Sequence, residues 1–176
     1  FYKAIIPAFP FDTTVEYRIL ASDNSNNLAL SNVYSYKVID PYPPLLRIDK
    51  PSQGSYLSGT VPITVFMKDQ NSGGESGFGN AELSINGTVV KTWEPPAPSE
   101  PDTYNWNTAT FGSDGVYVVK LKVLDKAGNV AEKSLTVTVD NTLPSAVINA
   151  PAHESYLRLS VLIKVFGSDA NFDKME

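Results

Sequence analysis

The chain of 176 residues is 42% hydrophobic and 19% charged, contains no cysteine, and carries a formal net charge of -5. This balance is typical of a soluble globular protein, and it argues against nucleic acid as a partner because phosphate binding needs clustered Lys and Arg. Disulfides and thiolate metal sites are excluded, and the apolar runs are far shorter than the roughly 18 residues of a membrane span.

One stretch of the chain occurs twice, one hundred residues apart. The segment PSQGSYLSGTVPITVFMKD at 51–69 returns as PAHESYLRLSVLIKVFGSD at 151–169, and nine of twenty positions are identical when the comparison is extended by one residue. Asp40 and Asp140 precede the two copies at the same spacing. Internal repetition indicates a modular architecture, so we expect copies of one structural unit.

A second correspondence fixes the ends of these units. ASDNSNNLA at 21–29 matches VLDKAGNVA at 123–131 with a spacing of 102 residues, so the first copy carries two extra residues. Residues 1–40 are therefore predicted to be the C-terminal part of one unit, 41–140 a complete unit, and 141–176 the N-terminal part of a third.

Within the complete unit, apolar and polar residues alternate with a period of two, which is typical of half-buried β-strands. Asn-Gly at 86–87 has the chemistry of a tight hairpin turn, whereas the proline-rich segment 94–102 cannot be a central strand. No stretch has a capped helical pattern of ten or more residues, so we predict no substantial helix. In chain order the predicted strands are 45–49, 61–65, 80–85, 88–93, 103–109, 116–125 and 134–140.

About seven short strands in about one hundred residues, with turns every 8 to 12 residues, indicate an antiparallel β-sandwich. The predicted fold class is therefore all-β, with sandwiches in tandem. The side chains expected to face the core are Val61, Ile63, Val65, Tyr117, Val119, Leu121, Val123, Leu135, Val137 and Val139, with Val161, Ile163 and Val165 at the matching places of the third unit.

Three segments resemble the bacterial and archaeal Ig-like domains of tandem cell-surface and secreted proteins. These are GSYLSGTVPITV at 54–65, FGSDGVYVVKLKVLDKAGN at 111–129 together with Trp106, and DNTLP at 140–144. The opening piece at 11–40 is similar to the last strands of a fibronectin type III-like domain. The resemblance implies Ig-like and fibronectin type III-like sandwiches in an extracellular array.

Two features depart from antibody-type Ig domains, namely the missing cysteine pair and the missing Trp on the third strand. Leu83 and Ile85 stand on that strand instead. We therefore expect a mainly aliphatic core.

Catalytic chemistry has few candidates in this sequence. His153 is the only histidine, and it stands in a predicted loop at the repeat position of Gln53, so a Ser-His-Asp triad is not indicated. Most candidate carboxylates recur between units, as Asp23 does at Asp125. An Asp at a strand end can accept N–H bonds from the following turn, which explains the recurrence without a reaction. We expect no enzyme activity and assign no catalytic residue.

A calcium site is the alternative to a purely structural role for the carboxylates of these oxygen-rich loops. In an Ig-like sandwich, the loops after the second and sixth strands lie at the end where the chain enters. Asp69, Glu75 and Asp125 could therefore approach Asp40 in the linker. Hard cations prefer several oxygen ligands at one place, and an ion there would stiffen the angle between units.

Aromatic residues and one sequon give the remaining candidates. Trp93 and Trp106 could stack on sugars in a carbohydrate-binding module, although burial in the core is the ordinary role of such residues. Tyr117, near the start of the sixth strand, resembles a tyrosine corner. Asn86 begins the Asn-Gly-Thr sequon and is a candidate for N-glycosylation.

These observations favour a non-catalytic spacer, structural or adhesion module from an extracellular multi-domain array, including a cell-surface or filament component. One alternative is an accessory region of a secreted protease or glycoside hydrolase, and another is the carbohydrate-binding module. The expected partners are other domains of the same chain, copies of itself, or cell-surface glycans and proteins. The expected location is the cell surface or the surrounding medium.

Overall fold

The computed structural model describes residues 2–70, 75–98 and 100–174, and nearly all of the regular secondary structure in this part of the chain is β-strand. One short helix, α1 (Thr108–Phe111), interrupts the strands. The first unit contains β1 (Thr14–Tyr17), β2 (Leu20–Ser22), β3 (Leu28–Leu30) and β4 (Tyr34–Lys37). The complete unit contains β5 (Leu45–Lys50), β6 (Tyr56–Leu57), β7 (Thr60–Lys68), β8 (Phe78–Ile85), β9 (Thr88–Trp93), β10 (Asp102–Asn107), β11 (Gly115–Asp125) and β12 (Val130–Val139). The third unit contains β13 (Ser145–Ala150) and β14 (Lys164–Ser168).

The complete unit is a sandwich of two sheets. One sheet has the strand order β10-β7-β5, and the other has the order β6-β12-β11-β8-β9. The first, second and fifth long strands thus face the third, fourth, sixth and seventh, which is the arrangement of an Ig-like or fibronectin III-like sandwich. The predicted all-β fold class is confirmed.

The period-two pattern places the predicted faces correctly, because alternate side chains of a strand point to opposite sides of its sheet. On β7 the residues Ile63 and Val65 are buried, while Val61 is half-buried. The predicted inward residues of β11 and β12 are all buried: Tyr117, Val119, Leu121, Val123, Leu135, Val137 and Val139.

The core is mainly aliphatic, as expected, but one end of the sandwich holds an aromatic cluster. Trp106 of β10 is fully buried there, and its ring packs edge-on against Phe111 at 5.9 Å and Tyr117 at 5.5 Å between ring centroids. The Trp that antibody domains carry on their third strand is thus replaced by one from the fifth strand, on the facing sheet. β10 ends at Asn107 because the chain turns into α1, whose first turn the Asn107 side chain caps.

The predicted tyrosine corner is present. The Tyr117 hydroxyl donates to the carbonyl of Ser113 at 2.7 Å. A Cβ at position 112 would lie 2.5 Å from that hydroxyl, so the chain passes the corner with Gly112. The corner ties the start of β11 to the segment that follows α1.

β6 has only two residues, and sequence periodicity did not predict it. It pairs in parallel with the end of β12. The bonds that join the two segments include Gly54 N–H to Thr136 O at 2.7 Å, Thr138 N–H to Ser55 O at 3.0 Å, and Asp140 N–H to Leu57 O at 2.9 Å.

The third unit repeats the pairing of the complete one. Ser145 pairs with Ser168 and Ile148 with Val165, each one hundred residues after the pairs Leu45 with Lys68 and Ile48 with Val65. Both pairs of strands also have a register shift at the matching place, after the Ile.

The first unit repeats the hairpin formed by β11 and β12. β2 and β3 pair Ser22 with Leu28, the equivalent of Leu124 with Val130 at the spacing of 102. β1 and β4 continue this hairpin, pairing Tyr17 with Tyr34. The pairing therefore supports the repeat that the sequence indicates, while the unit boundaries at 40 and 140 stay a prediction.

Most apolar side chains of the flanking units are exposed, although Val15 of β1 is buried. Ile163 is 63% and Val165 51% exposed, whereas Ile63 and Val65 are 0% and 1% exposed. The expectation that Val161, Ile163 and Val165 face a core is thus not met among the described residues, because no second sheet lies opposite β13 and β14. β14 also starts only at Lys164, so the first two of these residues precede the strand.

Candidate functional site

Three carboxylates meet where the chain enters the complete sandwich. Asp40 lies in the first linker (residues 40–44), Asp69 follows β7, and Asp125 ends β11. One oxygen from each lies within 4.8 Å of the others, and the three residues are only 7%, 8% and 4% exposed. The structure therefore brings together three of the four predicted metal ligands. Glu75 is half-buried in the adjoining loop and does not belong to this group.

Asp125 is held by the turn that follows it. The Asn129 main chain donates to one carboxylate oxygen and the Asn129 side chain to the other, both at 2.8 Å. Asp23 accepts the same two bonds from Asn27, at 2.9 and 2.7 Å. The recurrence of Asp and Asn at this spacing therefore has a structural role, as the sequence indicated.

Backbone N–H groups hold the other two carboxylates. Asp40 accepts from Ser76 at 2.8 Å and from Tyr42 at 3.1 Å. Asp69 accepts from Gly77 at 2.5 Å, and from its neighbour Gln70 at 2.9 Å. Ser76 and Gly77, just before β8, thus hold one carboxylate of the linker and one at the end of β7.

Gly79 allows the two strands next to the site to approach closely. A Cβ at this position would lie 2.7 Å from the carbonyl oxygen of Asp125. The register between β8 and β11 shifts at the same place, between Leu124 and Asp125. The extra residue of this bulge is Gly79 on β8, while Asp125 continues the alternation of buried residues along β11.

The crowding of negative charge changes the acidity of these groups. Burial raises the pKa of Asp69 above its ordinary value, and the carboxylates of Asp40 and Asp125 raise it further, against the N–H bonds that lower it. For Asp40, burial also acts to raise the pKa, but the bonds from Ser76 and Tyr42 outweigh it, so that the pKa is lowered. Three buried carboxylates in one place form a center of negative potential.

The linker itself is fastened to this end of the sandwich. The Asn129 side-chain amide donates to the carbonyls of Asp40 at 2.8 Å and Tyr42 at 3.3 Å. The Gln70 side chain donates to the carbonyl of Pro43 at 2.8 Å. Sequence reasoning missed these roles of Asn129 and Gln70, although the recurrence of Asn27 at Asn129 was a visible signal.

The other sequence candidates lie apart from this site. His153 is exposed in a turn, with its Nδ1 3.9 Å from the Glu154 carboxylate. Trp93 is 8% and Trp106 0% exposed, so neither presents a face on which a sugar could stack. Trp93 instead donates its indole N–H to Asp102 at 2.6 Å, beside the Lys91 ammonium.

Asn86 occupies the predicted hairpin turn between β8 and β9. Asn86 and Gly87 have φ values of 46° and 83°, as the two central residues of a type I′ turn require. The Asn86 side-chain carbonyl accepts from the Val118 N–H at 2.7 Å. The residue is exposed, and its glycosylation stays a prediction.

Comparison with known proteins gives likenesses of fold. No protein-family model and no curated protein matches the chain. The endo-beta-1,4-mannanase from Thermotoga petrophila is similar over 58% of this chain and 21% of its own, with 16% identity and a TM-score of 0.46. Fibronectin(III)-like modules of Clostridium thermocellum CbhA cover 56% of this chain and 100% of their own, with 13% identity and a TM-score of 0.38. CopC from Methylosinus trichosporium OB3b covers 56% and 94%, with 20% identity and a TM-score of 0.34.

The chain spans about a fifth of the mannanase chain. These likenesses concern the β-fold alone. Among the described residues, no helix is long and apolar enough to cross a membrane.

Proposed function

We propose that this chain is a non-catalytic structural segment of an extracellular multi-domain array, acting as a spacer or adhesion module. The observation that carries the proposal is the repeated strand pairing. The flanking hairpins β2–β3 and β13–β14 reproduce the registers of β11 with β12 and of β5 with β7, which supports the proposal that the sandwich belongs to a series. A series of similar units joined by short linkers sets a distance between what lies at its two ends.

The carboxylates support a structural role better than a catalytic one. Asp23 and Asp125 accept equivalent bonds from Asn27 and Asn129, which closes a turn in each unit. We therefore assign no catalytic residue. The partners we propose are the neighbouring sandwiches, further copies of the chain, or proteins and glycans of the cell surface.

Surface labelling and deletion test the proposal. Antibodies against residues 41–140 should detect the protein on intact cells or in the culture medium. Deleting these residues should leave any enzyme activity of the parent protein unchanged but shorten the distance between its two ends. Labelling that appears only after lysis would contradict the extracellular assignment. Loss of a hydrolase activity on deletion would instead favour an accessory role beside a catalytic domain.

A second function is favoured by the meeting of Asp40, Asp69 and Asp125, which we propose to be a calcium site at the junction. Carboxylate oxygens are the ligands that calcium prefers, and carbonyls and water complete its six to eight positions. The ion would neutralise three buried negative charges and join the linker to the strand ends.

Calorimetry with calcium chloride tests this site on the full chain. Extracellular calcium modules bind with dissociation constants of about 0.1–1 mM, and calcium at about 100 times that constant would add about 2.7 kcal/mol to the unfolding free energy. Asp69→Asn should abolish both effects. Asp49→Asn is the matched control, because Asp49 is exposed and pairs with Arg47. The absence of binding heat together with an unchanged melting temperature would refute the site.

A further inference from the structure

The second linker, residues 140–144, is bonded into the sandwich that precedes it. Asp114 accepts from the main chain of Asn141 at 2.8 Å and of Thr142 at 3.1 Å, and from the Thr142 hydroxyl at 2.5 Å. Charged acceptors form stronger bonds than neutral ones. One carboxylate therefore holds two successive linker residues.

Asn141 provides a second attachment. Its side-chain carbonyl accepts from the Gly59 N–H at 3.0 Å and from the Thr108 hydroxyl at 2.9 Å. Thr108 is buried, and its hydroxyl also lies 2.9 Å from the carbonyl of Gly59. The linker is thus anchored to three separate segments of the sandwich.

The following unit holds the same linker from the other side. The Asn171 side chain donates to Asp140 at 2.7 Å, and the Asn171 main chain donates to Asp169 at 2.8 Å. The second linker is therefore held by the units before and after it.

The first linker lacks the attachment to the unit before it. At the spacing of 102, Asp12 is the equivalent of Asp114, but its carboxylate pairs with Lys37 at 2.5 Å. The positions of Asn141 and Thr142 are taken by Pro41 and Tyr42, and proline has no N–H to donate.

Hydrogen bonds from the first unit end before the linker begins. Within the described ranges they reach Val38, whose carbonyl accepts from the Asp12 N–H at 3.0 Å and whose own N–H donates to Thr13. The bonds to 40–43 come from the linker itself or from the following sandwich. Ile39 lies between the two sets and is 67% exposed.

We propose that the two joints of this chain differ in stiffness: the first is a hinge at Ile39, and the second is a rigid joint fixed by Asp114 and Asn141. This difference in stiffness does not depend on where the protein is located, and it concerns the chain without bound calcium. Asp114 is the residue that sets the direction in which the chain leaves the sandwich.

Nitrogen-15 relaxation and amide exchange on the full chain, in calcium-free buffer, test the proposal. In the unchanged protein, the backbone order parameters of Asn141 and Thr142 should be about 0.85, the value of rigid backbone. The order parameter of Ile39 should lie below about 0.6. Asp114→Ala should speed amide exchange of Asn141 and Thr142 at least about tenfold, as expected for losing a bond to a charged acceptor. Asp12→Ala, at the equivalent position, is the matched control and should leave the order parameters of both linkers unchanged.

Two outcomes would overturn the proposal. The first is an order parameter at Ile39 equal to that at Thr142 in the unchanged protein. The second is unaltered exchange of Asn141 and Thr142 in Asp114→Ala. Asp114→Ala could also speed the exchange of core amides such as that of Val119, which would indicate that the whole sandwich is destabilised. In that case Thr142→Val is the deciding variant, because it removes only the hydroxyl bond to Asp114. Faster exchange at Thr142 in that variant supports the rigid joint, and unchanged exchange refutes it.

Discussion

At the scale of single residues, the Tyr117 hydroxyl connects two requirements of the fold. It donates to Ser113, and it occupies the space where a side chain at position 112 would begin. Substitutions of Gly112 and Tyr117 should therefore change the unfolding free energy in a non-additive way.

A double-mutant cycle tests this dependence. Tyr117→Phe should lower the unfolding free energy by about 1 kcal/mol through the lost hydrogen bond, and Gly112→Ala by about 1–3 kcal/mol through overpacking. The double variant should lose less than the sum, because without the hydroxyl the nearest atom is Cζ at 3.7 Å. Urea denaturation measures all four proteins, with Tyr104→Phe as a control outside the corner. Strict additivity would contradict the close contact.

The pKa directions at the first junction predict two opposite pH effects in calcium-free buffer. Because the pKa of folded Asp69 is raised above 3.8, its contribution to the unfolding free energy falls as the pH rises from 3.8 through the raised value. Asp40 has a lowered pKa, so its contribution is present above 3.8 and is lost as the pH falls through the lower value.

The measurement is the unfolding free energy between about pH 2.5 and 7 for the unchanged protein, Asp69→Asn and Asp40→Asn. On acidification, the unchanged protein should gain stability relative to Asp69→Asn and lose it relative to Asp40→Asn. Differences of the same sign would contradict the assignment.

At the scale of elements, the repeat supplies its own control for core packing. Ile63 on β7 is completely buried, while Ile163 at the matching position is 63% exposed. Ile63→Ala should therefore lower the unfolding free energy by about 2–5 kcal/mol, and Ile163→Ala by less than about 0.5 kcal/mol. Denaturant titration of both variants gives the comparison, and equal losses would show that Ile163 is covered in solution.

The alternation of apolar residues was enough to place the long strands, since burial of one sheet face requires it. β9 occupies the predicted 88–93. The two-residue β6 could not be predicted, because two residues have no period and their pairing depends on the edge that β12 presents. Burial of Trp106 in the core was expected, but its packing against Phe111 and Tyr117 was not.

The candidate site was predictable in part for a similar reason. The loop positions of an Ig-like sandwich indicated that Asp69, Glu75 and Asp125 could approach Asp40, and Asp69 and Asp125 do so. The N–H donors of Ser76 and Gly77, by contrast, belong to a loop whose path the sequence does not specify. The hydrogen bonds from the second linker to Asp114 were not predicted either, because the equivalent Asp12 pairs with Lys37 instead.

At the scale of the whole molecule, stability should be unevenly distributed. The sandwich has a buried core, whereas the flanking hairpins have exposed apolar faces, and isolated two-stranded hairpins are marginally stable.

Amide exchange should divide the chain accordingly. The slowest amides of β8 and β11 should exchange only by global unfolding, with a free energy of about 5–15 kcal/mol. Those of β2 with β3, and of β13 with β14, should exchange by local opening at a free energy near zero. Uniform protection along the chain would contradict this division and would indicate that the hairpins are covered in solution.

The parallel pairing of β6 with β12 has a mechanical consequence. Tension applied through the two linkers loads β5 and β12 first, and once β5 separates from β7 it pulls β6 and β12 in opposite directions along the same axis. The bonds of Gly54, Thr138 and Asp140 lie across that axis, so they must break together under shear, whereas an antiparallel hairpin pulled at its open end loses its bonds one at a time. The short strand β6 thus fastens the end of β12, where the chain leaves the sandwich. These bonds resist load most strongly along the strands, which is the direction in which a stretched array would be pulled.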